Sequence, residues 1–267
     1  LMARFEEILG NTKIEYVKWD MNRSICDMYS HIYKGEQSGE CYHRYILGVY
    51  DLLERFVQRF PEILLEGCSG GGGRFDAGML YYSCSDNTDA MNRLDIQYGT
   101  SFFYPISSVG AHVSACPNHQ TGRSVPLSTR ADVALAGSFG YELDLRLLSD
   151  EEKAQVKEQI KEFHDYYDLT HEGDYYRLTE RDNTSFTAWE FVAKNKERAL
   201  VEVVKKDAWG NPLPVHVAIK GLEDNSMYVC SLNGIKRSGK TWNHAGITLP
   251  KFLSAGESMK FTFMKVE

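Results

Sequence analysis

The chain has 267 residues, enough to bury one large core or two smaller ones. Its 43% hydrophobic and 25% charged residues are typical of a globular protein. The net charge of −7 and the lack of a dense Lys/Arg tract argue against a nucleic-acid partner. No apolar run in the sequence reaches membrane-spanning length and no signal peptide is visible, so we expect no membrane contact and a cytoplasmic location.

The six cysteines are scattered along the chain without a close pair. This spacing fits neither a disulfide framework nor a zinc site, and free thiols in a reducing compartment fit it best. Residues 1–5 have the pattern of the middle of a helix rather than of a natural start.

Short apolar strands alternate with amphipathic helices over the first two-thirds of the chain, which is typical of a parallel α/β architecture. In chain order the pattern predicts a strand that ends at Asp20, a helix from Cys41 to Phe60, a strand at 63–66, a short helix at 74–82, a helix up to Tyr98, and strands at 101–106 and 133–135. Ser149 to Glu152 form a capping box, which begins a further amphipathic helix.

After Gly173 the pattern changes to short alternating segments separated by turn signals such as Asn233-Gly234. Strands are predicted around Tyr175 and at 186–192, 199–204, 215–219, 227–230 and 260–266. This pattern indicates a small antiparallel β domain, which we interpret as a sandwich. The sequence therefore predicts two domains, 1–173 and 174–267.

The segment Tyr16–Arg23 predicts a short strand whose end carries polar groups. Because side chains alternate along a strand, Lys18 and Asp20 share one face while Trp19 lies on the other, and Asn22 follows close by. Taken alone, this pattern also fits an ordinary ion pair at the end of a strand.

Two further polar clusters, Cys68-Ser69-Gly70 and Asp86, also follow predicted strands or turns. In parallel α/β folds, functional residues collect at the carboxyl ends of the strands. A pair of facing carboxylates can cleave a glycosidic bond, because one attacks the anomeric carbon or activates water and the other protonates the departing oxygen. In a site of that kind, lysine, asparagine and backbone N–H groups would bind sugar hydroxyls, although each of these clusters alone is a weak signal.

The remaining candidates have weaker signals. The run 70–73 lacks the Lys-Ser/Thr of a phosphate loop, so we interpret it as a strand-to-helix turn that could bring backbone close to a ligand. Cys68 alone is more often a small buried hydrophobe, and Asp89 is interpreted as a structural residue at a helix start. His112 and His119 are placed in a polar loop as candidate ligand groups. Without cysteine or carboxylate at metal spacing, no metal and no cofactor are predicted.

Several segments in sequence order closely resemble the α-galactosidases of glycoside hydrolase family 36. These segments are Tyr16–Arg23 (YVKWDMNR), Glu66–Asp76 (EGCSGGGGRFD), Ser85–Asp89 (SDNTD), Tyr98–Pro105 (YGTSFFYP), Gly110–Gly122 (GAHVSACPNHQTG) and Gly137–Leu145 (GSFGYELDL). The resemblance covers essentially the whole chain. It implies a (β/α)8 TIM barrel, of which the chain carries about strands 4 to 8, followed by a C-terminal antiparallel β-sandwich.

The resemblance also implies an activity and the residues that perform it. Asp20 matches the catalytic nucleophile and Asp86 matches the acid/base proton donor. The substrate-binding positions are Lys18, Trp19, Met21, Asn22, Cys68, Ser69 and Gly70. The implied reaction is retaining hydrolysis of terminal non-reducing α-D-galactose from galactosides such as melibiose and raffinose, through a covalent galactosyl–enzyme intermediate. α-Galactoside oligosaccharides are the implied partners, and family members commonly form homo-oligomers.

The sequence departs from the family pattern in two places. Family members carry a large N-terminal β-domain and the first three barrel units, with an acidic pair that binds galactose hydroxyls, before the counterpart of Leu1. They also have a short segment of the type Pro-Gln-Ile-Trp between the counterparts of Ser83 and Cys84, which forms most of the sixth strand. Because of these departures, one alternative is an inactive truncated relative that at most binds carbohydrate. A second alternative is a transglycosylase related to the raffinose-family synthases, which share the fold.

Overall fold

The structure is a computed structural model. The structure describes residues 1–20, 28–68, 84–85, 87–208, 210–211, 213–249 and 253–267, with the backbone alone for 84–85. The helix predicted at 74–82 lies outside these residues. The chain divides into two compact units, Leu1–Asp86 and Asn87–Glu267, which are described separately. The predicted domain boundary at 173/174 stays a prediction.

The first unit contains helices and short parallel strands. Its elements are α1 (Met2–Leu9), β1 (Tyr16–Asp20), a 3-10 turn (Gly35–Glu40), α2 (Cys41–Arg59), β2 (Leu64–Cys68) and β3 (Cys84–Ser85). Strand β1 pairs in parallel with β2, and β2 pairs in parallel with β3. The strand predicted to end at Asp20 and the helix predicted from Cys41 are therefore confirmed.

One face of β1 and β2 packs against helices α1 and α2. Leu53 and Phe56 of α2 are almost fully buried, and they contact a cluster that includes Val17, Trp19 and Leu65. Leu53 and Phe56 lie three residues apart on α2, so both point to one side of the helix. This packing leaves the opposite face of the two strands to the polar side chains.

The second unit begins with alternating helices and strands. Its first elements are α3 (Ala90–Thr100), β4 (Val109–Ser114), α4 (Leu127–Leu135), β5 (Ser138–Glu142) and α5 (Asp150–Glu172), with 3-10 turns at Ile106–Ser108 and Leu145–Leu147. Strands β4 and β5 are parallel. The predicted capping box is confirmed, because the Glu152 N–H donates to Ser149 Oγ at 3.2 Å and the Ser149 N–H donates to Glu152 Oε2 at 2.9 Å.

The strand predicted at 101–106 is wrong. The residues after α3 continue as tight turns, in which the Ser101 N–H donates to Gln97 O and the Tyr104 N–H donates to Thr100 O, both at 3.0 Å. Phe103 is 85% exposed, so the aromatic run does not line a sheet. Local hydrogen bonds outweigh the β-propensity of the aromatic residues here.

The strand predicted at 133–135 is also wrong, because these residues end α4 and the next strand begins at Ser138. Almost every residue of α4 is buried, its polar residues Thr129, Arg130 and Asp132 included, so the helix lacks the exposed polar face of an ordinary amphipathic helix. A short apolar run of this kind cannot be assigned to helix or strand from periodicity alone. The buried Arg130 side chain is accommodated by a hydrogen bond from Nε to Val125 O at 3.1 Å.

The rest of the second unit is an antiparallel β region, as the sequence predicts. Its elements are β6 (Asp174–Arg177), β7 (Phe186–Val192), β8 (Arg198–Lys205), β9 (His216–Val217), β10 (Met227–Cys230), β11 (Lys236–Ser238), α6 (Gly239–Ala245), β12 (Ile247–Thr248) and β13 (Ser258–Val266). Six strands form one antiparallel sheet in the order β11-β10-β13-β8-β7-β6, and β9 pairs with β12.

Strand β8 separates two apolar clusters. Ala199, Val201 and Val203 belong to a cluster that also contains side chains from β9 and β12. Leu200 and Val204 belong to a second cluster, which contains side chains from α3, α4, α5 and β7. All five residues are fully buried. The central strands of the sheet are therefore covered on both faces.

Two buried glutamates interrupt these clusters. Glu202 accepts a hydrogen bond from Trp189 Nε1 at 2.6 Å, and burial, with a further contribution from the charge of Asp132, raises its pKa well above the usual range. Glu190 accepts a hydrogen bond from the Lys220 N–H at 2.8 Å, and burial raises its pKa to about 8. Both side chains are fully buried, so the protonated form is favoured in the fold.

We predict that Glu190→Gln reduces the fall in the free energy of unfolding that occurs between about pH 4.5 and pH 8. The folded chain keeps the proton on Glu190 up to about pH 8, whereas an exposed glutamate loses it above about pH 4.5. Unfolding then releases a proton, so wild-type stability falls as pH rises between these values, by roughly 1 kcal/mol per pH unit. The free energy of unfolding, measured with urea at pH 5 and pH 8, should change less in the variant.

Glu158→Gln is the matched control, because Glu158 is an exposed glutamate on α5. Its pH slope should equal that of the wild type. An unchanged slope in Glu190→Gln would mean that Glu190 is ionised in the folded chain.

Candidate active-site face

Polar side chains line the face of β1 and β2 that lies opposite the helices. The register pairs Lys18 with Glu66 and Asp20 with Cys68. Lys18 Nζ lies 3.7 Å from Glu66 Oε1, and the Tyr16 hydroxyl donates to Glu66 Oε2. Because period-2 alternation puts Tyr16, Lys18 and Asp20 on one side of β1, these groups form a continuous polar strip. Asp20 is exposed at the carboxyl end of the strip.

Trp19 lies on the opposite face, as the alternation predicts. Its ring centroid is 5.1 Å from that of Phe5 and 6.4 Å from that of Phe56. The indole is half-buried against α1 and α2. These contacts give Trp19 a packing role that anchors β1, and its predicted role in substrate binding stays a prediction.

The structure thus brings three predicted site residues, Lys18, Asp20 and Cys68, to neighbouring positions on two paired strands. The other predicted residues, Met21, Asn22, Ser69, Gly70 and Asp86, lie outside the described part of the chain.

Glu66 was missing from the predicted site. It is only 8% exposed, and a buried carboxylate needs a cation or hydrogen-bond donors. The signal in the sequence was the match in charge between Lys18 and Glu66, each at the same distance from the end of its strand. Using it would have required the register of β1 against β2, which the sequence does not give.

The segment that follows Asp86 in sequence is held by buried hydrogen bonds within the second unit. Arg93 Nη2 donates to Asn87 O at 2.8 Å, and the Ser114 hydroxyl donates to Thr88 O at 2.5 Å. Asn118 Nδ2 donates to Thr88 Oγ1 at 3.1 Å. Arg93 is fully buried on α3, and Ser114 ends β4. A helix, a strand end and a loop therefore fix the backbone of this segment.

Asp89 is the N-cap of α3, which agrees with its predicted structural role. Its carboxylate accepts hydrogen bonds from the Met91 N–H at 2.8 Å, the Asn92 N–H at 3.3 Å and the Thr121 hydroxyl. Arg123 Nη1 lies 2.8 Å from Asp89 Oδ1. Burial alone would raise the pKa of Asp89, but these hydrogen bonds and the Arg123 charge together lower it. Asp89 is therefore held as an anion.

His112 lies in strand β4 and is buried, so its predicted position in a polar loop is wrong. Its Nδ1 atom lies 3.5 Å from Glu142 Oε2 at the end of β5, and its carbonyl accepts a hydrogen bond from Arg93 Nη1 at 2.9 Å. The all-buried strand Val109–Ser114 accounts for the difference, since a histidine with a carboxylate neighbour can lie inside it. His119 lies in a loop and is exposed.

The described residues contain no group of three or more His, Cys, Asp or Glu side chains placed to hold a metal ion. Within the same part of the chain, no helix is both long and apolar enough to span a bilayer. Cys41, Cys116 and Cys230 are free thiols.

Comparison with known families shows to which family the chain belongs. The melibiase family model matches residues 1–173, and the model of the glycosyl hydrolase family 36 C-terminal domain matches residues 186–263. The chain therefore belongs to the melibiase family, the α-galactosidases of glycosyl hydrolase family 36.

Individual relatives agree with this assignment. The bifunctional α-galactosidase/sucrose kinase AgaSK of Mediterraneibacter gnavus is 51% identical over 264 residues, which are 97% of this chain and 27% of that protein. The crystal structure of the α-galactosidase AgaA of Geobacillus stearothermophilus in complex with raffinose is 43% identical, with a TM-score of 0.93 over 99% of this chain and 37% of that one. Another AgaA structure, bound to stachyose, has a TM-score of 0.92 over the same shares. The chain thus spans roughly a third of these relatives' length.

We predict that Asp89→Ala destabilises the second unit by about 2 to 4 kcal/mol, because it removes an N-cap and leaves the Arg123 guanidinium without its carboxylate. Since the pKa of Asp89 is lowered in the fold, its stabilising contribution is present at neutral pH and disappears as pH falls through the folded pKa. Urea unfolding at pH 7 and at pH 3.5 should show a smaller difference between variant and wild type at the lower pH.

Asp95→Ala is the control on the same helix. The Asp95 carboxylate is 55% exposed and its Oδ1 atom lies 3.3 Å from Lys206 Nζ, so its loss should cost less than about 1 kcal/mol. Equal effects of the two substitutions would contradict the structural role of Asp89.

Proposed function

We propose that this chain is the carboxyl-terminal part of a retaining α-galactosidase. In this proposal the parallel strands belong to about the last five strands of a (β/α)8 barrel, and the antiparallel region is a β-sandwich. The observation that carries the proposal is the position of Asp20. It ends a parallel strand, opposite Cys68 and on the same face as Lys18, in a chain of this family.

In the proposed reaction, an Asp20 carboxylate oxygen attacks the anomeric carbon of a terminal α-galactosyl group. The bond from that carbon to the glycosidic oxygen breaks, and Asp86 gives its proton to the departing oxygen. Asp86 then takes a proton from water, whose oxygen attacks the same carbon and releases Asp20. Two inversions at one carbon return galactose with the α configuration. This route needs no metal or organic cofactor.

The polar strip supplies the electrostatic setting for this chemistry. The Lys18 ammonium shares a face with Asp20 and can donate hydrogen bonds to galactose hydroxyls. Glu66 lies 3.7 Å from the Lys18 ammonium and is itself held by a hydrogen bond from the Tyr16 hydroxyl. We propose that Glu66 positions Lys18, while Cys68 borders the sugar directly.

Several further roles belong to the same proposal. Met21, Asn22, Ser69 and Gly70 complete the galactose-binding surface, and Trp19 supports the strand from behind. Oligosaccharides such as melibiose and raffinose are the proposed substrates, in a cytoplasmic protein that can form homo-oligomers. The AgaA complexes support the choice of substrate: a variant with one aspartate replaced by asparagine is bound to raffinose, and a variant with one replaced by alanine is bound to stachyose.

Two alternatives differ in what the site does with the galactosyl intermediate. A transglycosylase would pass it to a second sugar, so galactosyl oligosaccharides rather than free galactose would accumulate at high sugar concentration. An inactive relative would not form it. The second alternative rests on the junction between Ser83 and Cys84, where the family's short segment is absent. Its absence would displace Asp86, and a displacement of about 1 Å can cost on the order of a hundredfold in rate.

The test uses a chimera in which this chain replaces the corresponding segment of AgaA. We predict that the chimera hydrolyses an aryl α-galactoside, and that Asp20→Ala in it lowers turnover by at least roughly a thousandfold. Azide should restore part of the rate and form a galactosyl azide of β configuration, because it occupies the space that the carboxylate leaves. Glu15→Ala, an exposed carboxylate just before β1, should change turnover less than about twofold.

Wild-type rates in the Asp20→Ala chimera would contradict the nucleophile assignment. A second chimera, with Pro-Gln-Ile-Trp inserted between Ser83 and Cys84, distinguishes an active α-galactosidase from an inactive relative. If only the inserted version is active, the family chemistry is right and this chain is an inactive relative.

A further inference from the structure

A cavity opens at the end of the β-region core, within the second unit. Its volume is about 320 Å³, and it lies beside the carboxyl end of β8. Phe186, Leu213, Pro214 and Val215 line it with apolar surface. Lys205, the last residue of β8, also lines it. The cavity is thus an apolar recess with the Lys205 ammonium in its wall.

Lys205 is unusually buried for a lysine, with only 4% of its surface exposed. It follows Ala199, Val201 and Val203 in the alternation along β8, so its stem leaves the same face as those core residues. Its cross-strand partner is Phe186. The strand pairing therefore directs the ammonium to the rim of the apolar core rather than into solvent.

Within the described part of the chain, the hydrogen bonding of this ammonium is incomplete. Lys205 Nζ donates to Ser185 Oγ at 2.9 Å. A lysine ammonium has three N–H donors, and a buried charge ordinarily has a carboxylate partner. Among the residues that the structure describes, no Asp or Glu oxygen lies within 4 Å of Lys205 Nζ, and the described lining contains no acidic residue. The adjacent Lys206, by contrast, is paired with Asp95.

The polar residues around the ammonium can accept and donate hydrogen bonds. Ser185 is fixed by its N–H, which donates to Asn183 Oδ1 at 2.9 Å, and the Lys206 N–H donates to Ser185 O at 2.9 Å. Asn211 adds an amide to the lining. A molecule seated here would meet one positive charge, one hydroxyl and one amide at one end, and aromatic and aliphatic surface elsewhere.

We propose that this cavity binds a small carboxylate with an apolar body, whose carboxyl group pairs with the Lys205 ammonium. The carboxylate supplies the missing counter-charge, and the apolar body covers Phe186 and Pro214. A neutral sugar would leave the charge uncompensated, so the site differs in chemistry from the galactoside face. The proposal does not depend on the proposed enzymatic function, because all its residues lie in the β region.

The test is an NMR titration of the 267-residue chain, labelled with ¹⁵N, with benzoate at pH 7. Benzamide, which has nearly the same shape without the charge, is titrated in parallel. We expect saturable shifts of the amides of Ser185 and Phe186 with benzoate, and at least tenfold weaker binding of benzamide, because a charge-assisted hydrogen bond in a desolvated site is lost. Lys205→Met should weaken benzoate binding at least tenfold, and Lys206→Met should leave it unchanged.

Equal binding of benzoate and benzamide would overturn the proposal, and so would unchanged benzoate binding in Lys205→Met or equal losses in the two lysine variants. Galactose binding to the same amides more tightly than benzoate would assign the cavity to carbohydrate instead and would also overturn it. If Lys205→Met does not fold, the comparison of benzoate with benzamide binding to the wild type still tests whether the cavity binds a carboxylate.

Discussion

The alternation of side chains along each strand is the constraint on which the two units both depend. In β1 it sends Val17 and Trp19 to the helices and leaves Lys18 and Asp20 on the opposite face. In β8 it sends alternate residues to two different apolar clusters. A shift of one residue in either strand would bury charges and expose the core, so the packing that stabilises the fold also determines which groups face a ligand.

Much of the architecture could be predicted from the sequence because the relevant signals are local. The end of β1 at Asp20, the helix beginning at Cys41 and the capping box at Ser149 each depend on residues within a few positions of one another. The antiparallel region after Gly173 was predicted from alternation and turn residues in the same way. The shared face of Lys18 and Asp20 follows from period 2 alone.

The sequence predictions fail where contacts between residues distant in sequence determine the local structure. Residues 133–135 look like a strand because α4 is buried on nearly all sides, and only the surrounding elements reveal this. His112 was placed in a loop because the surrounding segment is rich in Gly, Ser, His and Asn, yet β4 is buried over its whole length. Glu66 was missed because its partner Lys18 is distant in sequence and is brought close only by strand pairing. Register is a tertiary property, and no local pattern gives it.

The double role of β8 has a consequence for how such proteins can be recombined. Leu200 and Val204 pack with the helices before Gly173, while Val201 and Val203, on the same strand, complete the core of the β region. A crossover between homologues at the start of the β region would therefore pair one parent's helices with the other's sheet across a fully buried layer. Chimeras that inherit Asn87–Glu267 from one parent keep that layer intact, so this unit, rather than the β region alone, is the natural segment to exchange.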